Sequence, residues 1–491
     1  YTLATSNIED KEQLEKAVQV GVKVRMMRAA GEDVPEQLQQ GFDQAEEKLF
    51  TRLGEIRQRG LEEGHRPLVA VAGCVAQQEG TKILQRSNAV DVVIGTSVTP
   101  GSLAMVDVAG ETKTPMISVA ANAKIVDPVE GARTWVFKTP QNDQLMAGAL
   151  ADAMVKQNVK TLGFIGYNDA YGDGWLNVIT EAAQAKGIKV LGAERYGRND
   201  TSVTGQVLKL LGTKPDAILI AGSGTPVALP QRELKGRGYA GIIYQTHGAA
   251  NSDVLRVCGK DCNDMILPAG PLLVAEQLPD SSSVKKTAME YKEKYEAKYG
   301  AGSINTFGGH MWDAGLLVTE AIPEALKSGA KPGTPEFRAA LRDALEQTKE
   351  LAASQGVFNM SATDHAGLDK RGQIFCGGTE GPRTAERGNR HAISGIAVFG
   401  EPRKGVAFGV RKVHRDCAMR GHEDVLAAHG LAAGRAHAQR VPVVGDFVLR
   451  PVQQAKHPVD RLVAFAHDRV VHAQAFQGPL HVKDLDLTKI G

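Results

Sequence analysis

Residues 216–226 read Asp-Ala-Ile-Leu-Ile-Ala-Gly-Ser-Gly-Thr-Pro. The apolar run 217–221 has neither polar alternation nor helical spacing, so it predicts a strand buried on both faces, as in a parallel sheet covered by helices. Small hydroxyl residues then lead to Thr225 and Pro226, which suit the N-cap and the first helical position. Residues 91–100, Asp-Val-Val-Ile-Gly-Thr-Ser-Val-Thr-Pro, repeat the device with Thr99 and Pro100. Each copy offers backbone N–H groups and hydroxyls at the carboxyl end of a strand, where an anionic or polar small molecule binds readily. Two copies some 125 residues apart predict two lobes facing one cleft. Gly222-Ser223-Gly224 lacks the spacing of a dinucleotide fingerprint and neither copy is a P-loop, so no nucleotide cofactor is expected.

The alternation continues outward. Short apolar runs at 67–73, 89–95, 115–120, 134–139, 161–166, 188–196 and 241–248 predict strands. Stretches of helical period lie between several of them, at 79–88, 144–157 and 175–187, and further helices are predicted over 283–299, 311–328 and 335–349. The body is therefore α/β, and large enough for two lobes. Ahead of it, Phe42, Ala45, Leu49, Leu53 and Ile56 recur at three- and four-residue steps within 9–58, the packing face of a helical N-terminal segment.

Composition bounds the function. The chain has 491 residues, 42% apolar and 23% charged, with a net charge of +2, so nothing global points to nucleic acid or to a membrane surface as partner. No apolar run approaches the roughly 18 residues of a membrane-spanning helix, so no stable membrane insertion is expected. The charge is uneven: residues 371–491 carry 18 Lys and Arg against 11 Asp and Glu, and residues 1–370 carry 40 against 45. The same tail holds nine of the thirteen His and no Tyr or Trp, which marks a change of character near residue 371. Five scattered cysteines, Cys74, Cys258, Cys262, Cys376 and Cys417, do not make a disulfide framework. Cys258 and Cys262 are close enough for a small disulfide loop, and equally for two reduced thiols. The opening YTLATSNIEDKEQ has neither a basic nor an apolar leader region, so no signal peptide is read in it.

The segments VDVVIGTSVTPGSLAM, TPMISVAANAKIV, WVFKTPQND, DAYGDGW, TSVTGQVLKLL, PDAILIAGSGTP, YQTHGAAN, TFGGHMWDAGLL and GTPEFRAALRDALE, from about Val90 to Lys370, resemble the type I periplasmic substrate-binding proteins of ABC transporters, specifically the branched-chain amino acid family. The resemblance implies two Rossmann-like lobes closing on a ligand without chemistry, ABC permease subunits as partners, and an extracytoplasmic location. It divides the body into lobe one, 67–138 and 268–350, and lobe two, 139–267 and 351–370. It also implies that the ligand carboxylate meets Ser97, Thr99, Ala120 and Asn122. In that family the second lobe supplies an aromatic residue and a carboxylate for the ligand's amino group; here those positions fall near Gly224 and His247. A buried ammonium without a counter-charge costs several kcal/mol, so a carboxylate lacking an amino group is expected, such as an aromatic acid. His247 would donate a hydrogen bond to it, and Ser223 and Thr225 would line the second lobe. Tyr167, Tyr171 and Phe307 would offer apolar contact.

The resemblance breaks at both ends. Residues 42–96 resemble the N-terminal domain of radical-SAM tRNA methylthiotransferases, in which GCVAQ carries one of three cluster cysteines. Cys74 matches it, but the other two and the SAM-cluster triad have no match, and one thiolate cannot hold such a cluster. A small buried residue after a strand is the expectation for Cys74. The β-α-β of 67–96 is expected to stand in for the family's opening strands. The basic tail reads as irregular, in composition like a GC-rich region translated out of frame. Its His414, Cys417 and His422 lack a regular zinc spacing, so no metal is expected there. No nucleophile with a base and no paired carboxylates stand out, so the chain reads as a binding protein and not an enzyme. The alternatives are a fragment of the iron-sulfur methylthiotransferase and a ligand-sensing domain of the same fold.

Overall fold

The computed structural model describes residues 89–372 throughout, together with parts of 50–86 and the backbone of two strands at 374–378 and 396–399. The helical segment before residue 50, the side chain of Cys74, and His414, Cys417 and His422, where no metal is expected, lie outside the described residues.

Two sheets form the body, beside a short antiparallel pair of β10 (Leu351–Ala352) and β11 (Val357–Phe358). The first is parallel, in the order β1 (Ala70–Ala72), β2 (Val92–Ile94), β3 (Met116–Ser118), β4 (Val136–Lys138). Its linking helices are α1 (Cys74–Arg86) and α2 (Thr99–Glu111). The expected β-α-β of 67–96 is present, with Ala70 beside Val92 and Ala72 beside Ile94. α1 starts earlier than its periodicity indicated and takes in Cys74. Leu53 is buried in the core of this lobe, Phe50 and Ile56 pack against it, and the Arg86 guanidinium lies 3.7 Å from the Phe50 ring. The apolar face read at Leu53 and Ile56 is thus a packing face.

The second sheet has the order β13-β12-β9-β8-β7-β5-β6. Its parallel strands are β5 (Thr161–Tyr167), β6 (Lys189–Tyr196), β7 (Ala217–Ala221), β8 (Ile242–Gln245) and β9 (Ile266–Ala269). β12 (Ile374–Gly378) and β13 (Ile396–Phe399) are antiparallel additions at one edge. All five residues of β7 are buried, as an unbroken apolar run demands. Helices α3 (Asp143–Lys156), α4 (Ala170–Ala185), α5 (Thr204–Gly212), α6 (Ala228–Gly236) and α7 (Ser252–Cys258) follow β4 to β8 in turn. Cys258 and Cys262 are joined by a disulfide across 5.5 Å between Cα atoms, which decides between the two readings.

The chain returns to the first lobe through α8 (Lys285–Tyr299), α9 (Thr306–Lys327) and α10 (Pro335–Glu346). α9 starts before its predicted 311 because the Asn305 side chain caps it, accepting from Gly308 N at 2.8 Å, ahead of a glycine pair that hides the helical period. Residues 351–370, assigned by resemblance to lobe two, pack on lobe one instead. Ala353, Phe358 and Met360 join the core under α9 and α10, and His365 stacks on Phe137 with ring centroids 4.0 Å apart. Their apolar side chains cover a face of the first sheet that would otherwise stay wet; the return to the second sheet is made by β12.

Three crossings between the sheets meet at Gln141. Its Nε2 donates to Gln355 O at 3.0 Å and to Gly372 O at 2.7 Å. At Gly270 a Cβ would lie 1.9 Å from Gln355 Oε1 and 2.9 Å from Gln141 Nε2, so the third strand of chain passes close against the two glutamine side chains. No helix among the described residues is long and apolar enough to cross a membrane.

Candidate functional site

On the first sheet the loop after β2 is laced by hydroxyls. Thr96 Oγ1 lies 3.0 Å from Ser102 Oγ, which lies 2.8 Å from Ser118 Oγ, and Ala120 N donates to Ser118 Oγ at 3.1 Å. The first turn of α2 closes from Ser102 N to Val98 O at 3.1 Å, so Val98 is the N-cap and Thr99 already lies inside the helix. The predicted cap is therefore one residue late. Thr99 is buried with its hydroxyl unpartnered in the protein, while Ser97 is half-buried.

On the second sheet β6 flanks β5 on one side and β7 on the other, so strand order reverses between β5 and β7. Crevices at such a reversal, beyond the carboxyl ends of the strands, are where open α/β sheets bind ligands. The Tyr167 hydroxyl bridges this point, donating to Ser223 O at 2.6 Å. The Tyr171 hydroxyl sits 2.9 Å from Thr246 Oγ1 and 3.3 Å from Gly222 O. Gly224, at φ +66°, turns the chain and donates from its N to Gly248 O at 2.9 Å. Here too the cap precedes the expected one: Gly224, and not Thr225, is the N-cap of a 3-10 turn at Thr225–Val227. Ser223 and Thr225 are half-buried. Tyr167 is fully buried against Tyr171 and Tyr196, so it serves the core; Tyr171 does so at the crevice wall.

The two edges face one another. Asn122 Nδ2, after β3, donates to Ala170 O at the start of α4 at 3.0 Å, while its Oδ1 accepts from Lys124 N at 2.9 Å. Lys138, ending β4, is fully buried, and its ammonium donates to Ala121 O at 2.6 Å and Asn142 Oδ1 at 2.7 Å. Burial lowers its pKa to about 8 against the pull of Asp143 and Asp364. His247, buried after β8 with its ring 5.7 Å from that of Trp175, has Nδ1 without a protein partner. Desolvation and then the Lys138 charge push its pKa down to about 3. His310, on α9, is held down to about 3 by desolvation, then by His247 and Lys138, and its Nδ1 is likewise unpartnered. Both imidazoles are neutral at pH 7 and can each donate or accept one further hydrogen bond.

Of the expected residues, Ser97 lies in the loop after β2, Thr99 in the first turn of α2, and Ala120 and Asn122 after β3 on the first sheet; on the second, Tyr171 lies in the first turn of α4, and Ser223 and His247 follow β7 and β8. Phe307 is half-buried in the first turn of α9. Sequence reasoning missed Lys138, Trp175, His310 and Arg198. Lys138 and Trp175 lie within segments read only as strand and helix, His310 and Arg198 lie just outside such segments, and the signal for Lys138 was a lysine near the close of an otherwise apolar strand.

Residues 75–370, three fifths of the chain, match the family described as periplasmic binding protein, and the chain belongs to that family with its type I fold. An extracellular ligand-binding receptor from Rhodopseudomonas palustris HaA2 is 41% identical, with a TM-score of 0.60 over 66% of this chain and 86% of that one. A leucine-binding protein from Thermotoga maritima, 18% identical, shares the fold with a TM-score of 0.54 over 66% of this chain and 84% of its own. A short stretch of the chain has a likeness elsewhere. A tRNA-2-methylthio-N(6)-dimethylallyladenosine synthase from Neorickettsia sennetsu is 49% identical over 53 residues, and the chain spans 11% of its length.

Proposed function

We propose that the chain is the solute-binding component of an ABC-type uptake system, working outside the cytoplasm with ABC permease subunits and turning nothing over. Its ligand is a small carboxylate without an amino group, held between the lobes by Ser97, Thr99, Ala120 and Asn122 on one side and by Tyr171, Ser223, Thr225 and His247 on the other. Tyr167 backs this wall from the core.

The observation that carries this reading is the charge inventory of the crevice. The acids beside it are engaged. Asp143 Oδ1 accepts from Ala123 N at 3.0 Å and faces Lys138, and Asp169 pairs with Arg198 at 2.8 Å. His247 is neutral. An ammonium placed there would lack a counter-charge, a cost of several kcal/mol, whereas a carboxylate meets donors and cations. Calorimetric titration with leucine and with aryl carboxylates tests it: micromolar or tighter binding of an aryl carboxylate with no leucine binding is expected, and tight leucine binding overturns it.

A further inference from the structure

We propose that Arg198 recognises the ligand's carboxylate from the second lobe, through its Nη2 group with the Ser223 hydroxyl beside it. This rests on the cleft reading above and assigns the ligand's charged end within it. Arg198 lies two residues beyond β6, at the carboxyl edge of the second sheet and next to the end of β5. Its guanidinium carbon is 4.1 Å from the centroid of the Tyr167 ring, its Nε donates to Asp169 Oδ2 at 2.8 Å, and its Nη1 donates to Ser223 Oγ at 3.3 Å. Asp169 is itself fixed as the N-cap of α4, accepting from Tyr171 N at 2.9 Å and Gly172 N at 3.3 Å. The aromatic face and the carboxylate set the plane of the fork, and Nη2 keeps both hydrogens without a protein partner among the described residues. The side chain is 32% exposed, so solvent and solute reach it. A planar fork held this way is preorganised for an oxyanion, because its rotamer entropy is already lost.

The neighbouring donors point the same way. The hydroxyl of Tyr167 is spent on Ser223 O, and that of Tyr171 on Thr246 and Gly222. Ser223 Oγ accepts from Arg198 and retains its own proton for the same oxyanion. On the first lobe, Ala120 N donates to Ser118, the Asn122 amide to Ala170, and Lys138, fully buried, to Ala121 and Asn142. The Thr99 hydroxyl has no protein partner but is neutral and buried. Arg198 is the solvent-reached cation with an open fork, so the anion is placed on its side and the uncharged part of the ligand toward neutral His247 and the Trp175 ring packed against it.

Isothermal titration of the full chain tests this with benzoate, phenylacetate, 3-phenylpropanoate and hexanoate, each against its primary amide, in wild type, Arg198→Ala, Arg198→Gln and Arg198→Lys. Wild type should bind an acid and prefer it to the amide. Arg198→Ala should weaken the acid by about thirty- to hundredfold, far more than it weakens the amide, and so erase the preference; Arg198→Lys should recover part of it. Arg198→Gln, which keeps the stem and polar head, gives the same reading if alanine loosens the loop. A substituted protein that keeps the wild-type preference for acid over amide overturns the proposal and leaves the cleft reading intact. Failure of every acid to bind wild type overturns both.

Discussion

Two neutral histidines and one protonatable acid are buried in this protein, and their pH effects oppose each other. His247 and His310 have native pKa values of about 3, below the 6.5 of an exposed imidazole. As pH falls through 6.5 the unfolded chain takes up protons that the native state refuses, so their stabilisation, complete above 6.5, is lost toward pH 3. Asp313 runs the other way. Burial raises its carboxyl from 3.8 to about 7 although Ser354 N and Gln355 N donate to it at 2.8 and 2.9 Å. Between those values the native state holds a proton that the unfolded chain has released, so acidification favours folding. Asp313→Asn removes this compensation. Its unfolding free energy, measured by urea titration between pH 7 and 4, should fall with acid more steeply than that of wild type, by up to about 1.4 kcal/mol per pH unit; parallel slopes would exclude a raised Asp313. His247 was legible because it stands between Thr246 and Gly248 at a strand end. His310 was not, since nothing local marks a histidine whose carbonyl accepts from Thr139, 171 residues away.

At the scale of elements, the strands and helices of the body follow their periodicity, and the discrepancies fall at ends. Both Thr-Pro caps sit one residue late in the sequence reading, because residue type marks a cap only to within a position and the first backbone bond decides it. The junction of α4 with its neighbours is set by glycines that the pattern does not explain. At Gly172 a Cβ would lie 1.9 Å from Tyr167 O, and at Gly174 it would lie 2.1 Å from Asn122 Nδ2. The first obstacle is backbone inside a strand; the second is the end of a side chain, which can swing away. Gly172→Ala should therefore cost about 3 kcal/mol of unfolding free energy or more. Gly174→Ala should cost only about 1 kcal/mol, through loss of the bond from Asn122 to Ala170. Chemical denaturation of the pair checks the order, and equal losses would contradict it.

For the whole molecule, a ligand gripped by both lobes stabilises the native state alone. An aryl carboxylate that binds, at a hundred times its Kd, should raise unfolding free energy by about 2.7 kcal/mol, read as a concentration-dependent rise in Tm. A carboxylate that binds without raising Tm would argue against a site formed only in the folded cleft. The sequence by itself determined that this chain is α/β, that small-residue turns close its parallel strands, and that its residues from about 90 to 370 resemble periplasmic binding proteins. Those features are local: burial on two faces shows as an unbroken apolar run, and a helix shows within four residues. Tertiary structure alone decided that 351–370 completes the first lobe, and that Cys258 and Cys262 are bonded. It alone set Lys138, His247 and His310 close enough for their charges to act on one another, and placed Arg198 over Tyr167. These depend on how three chain crossings bring distant segments into one low-dielectric space, and desolvation there, not residue type, sets which groups carry charge.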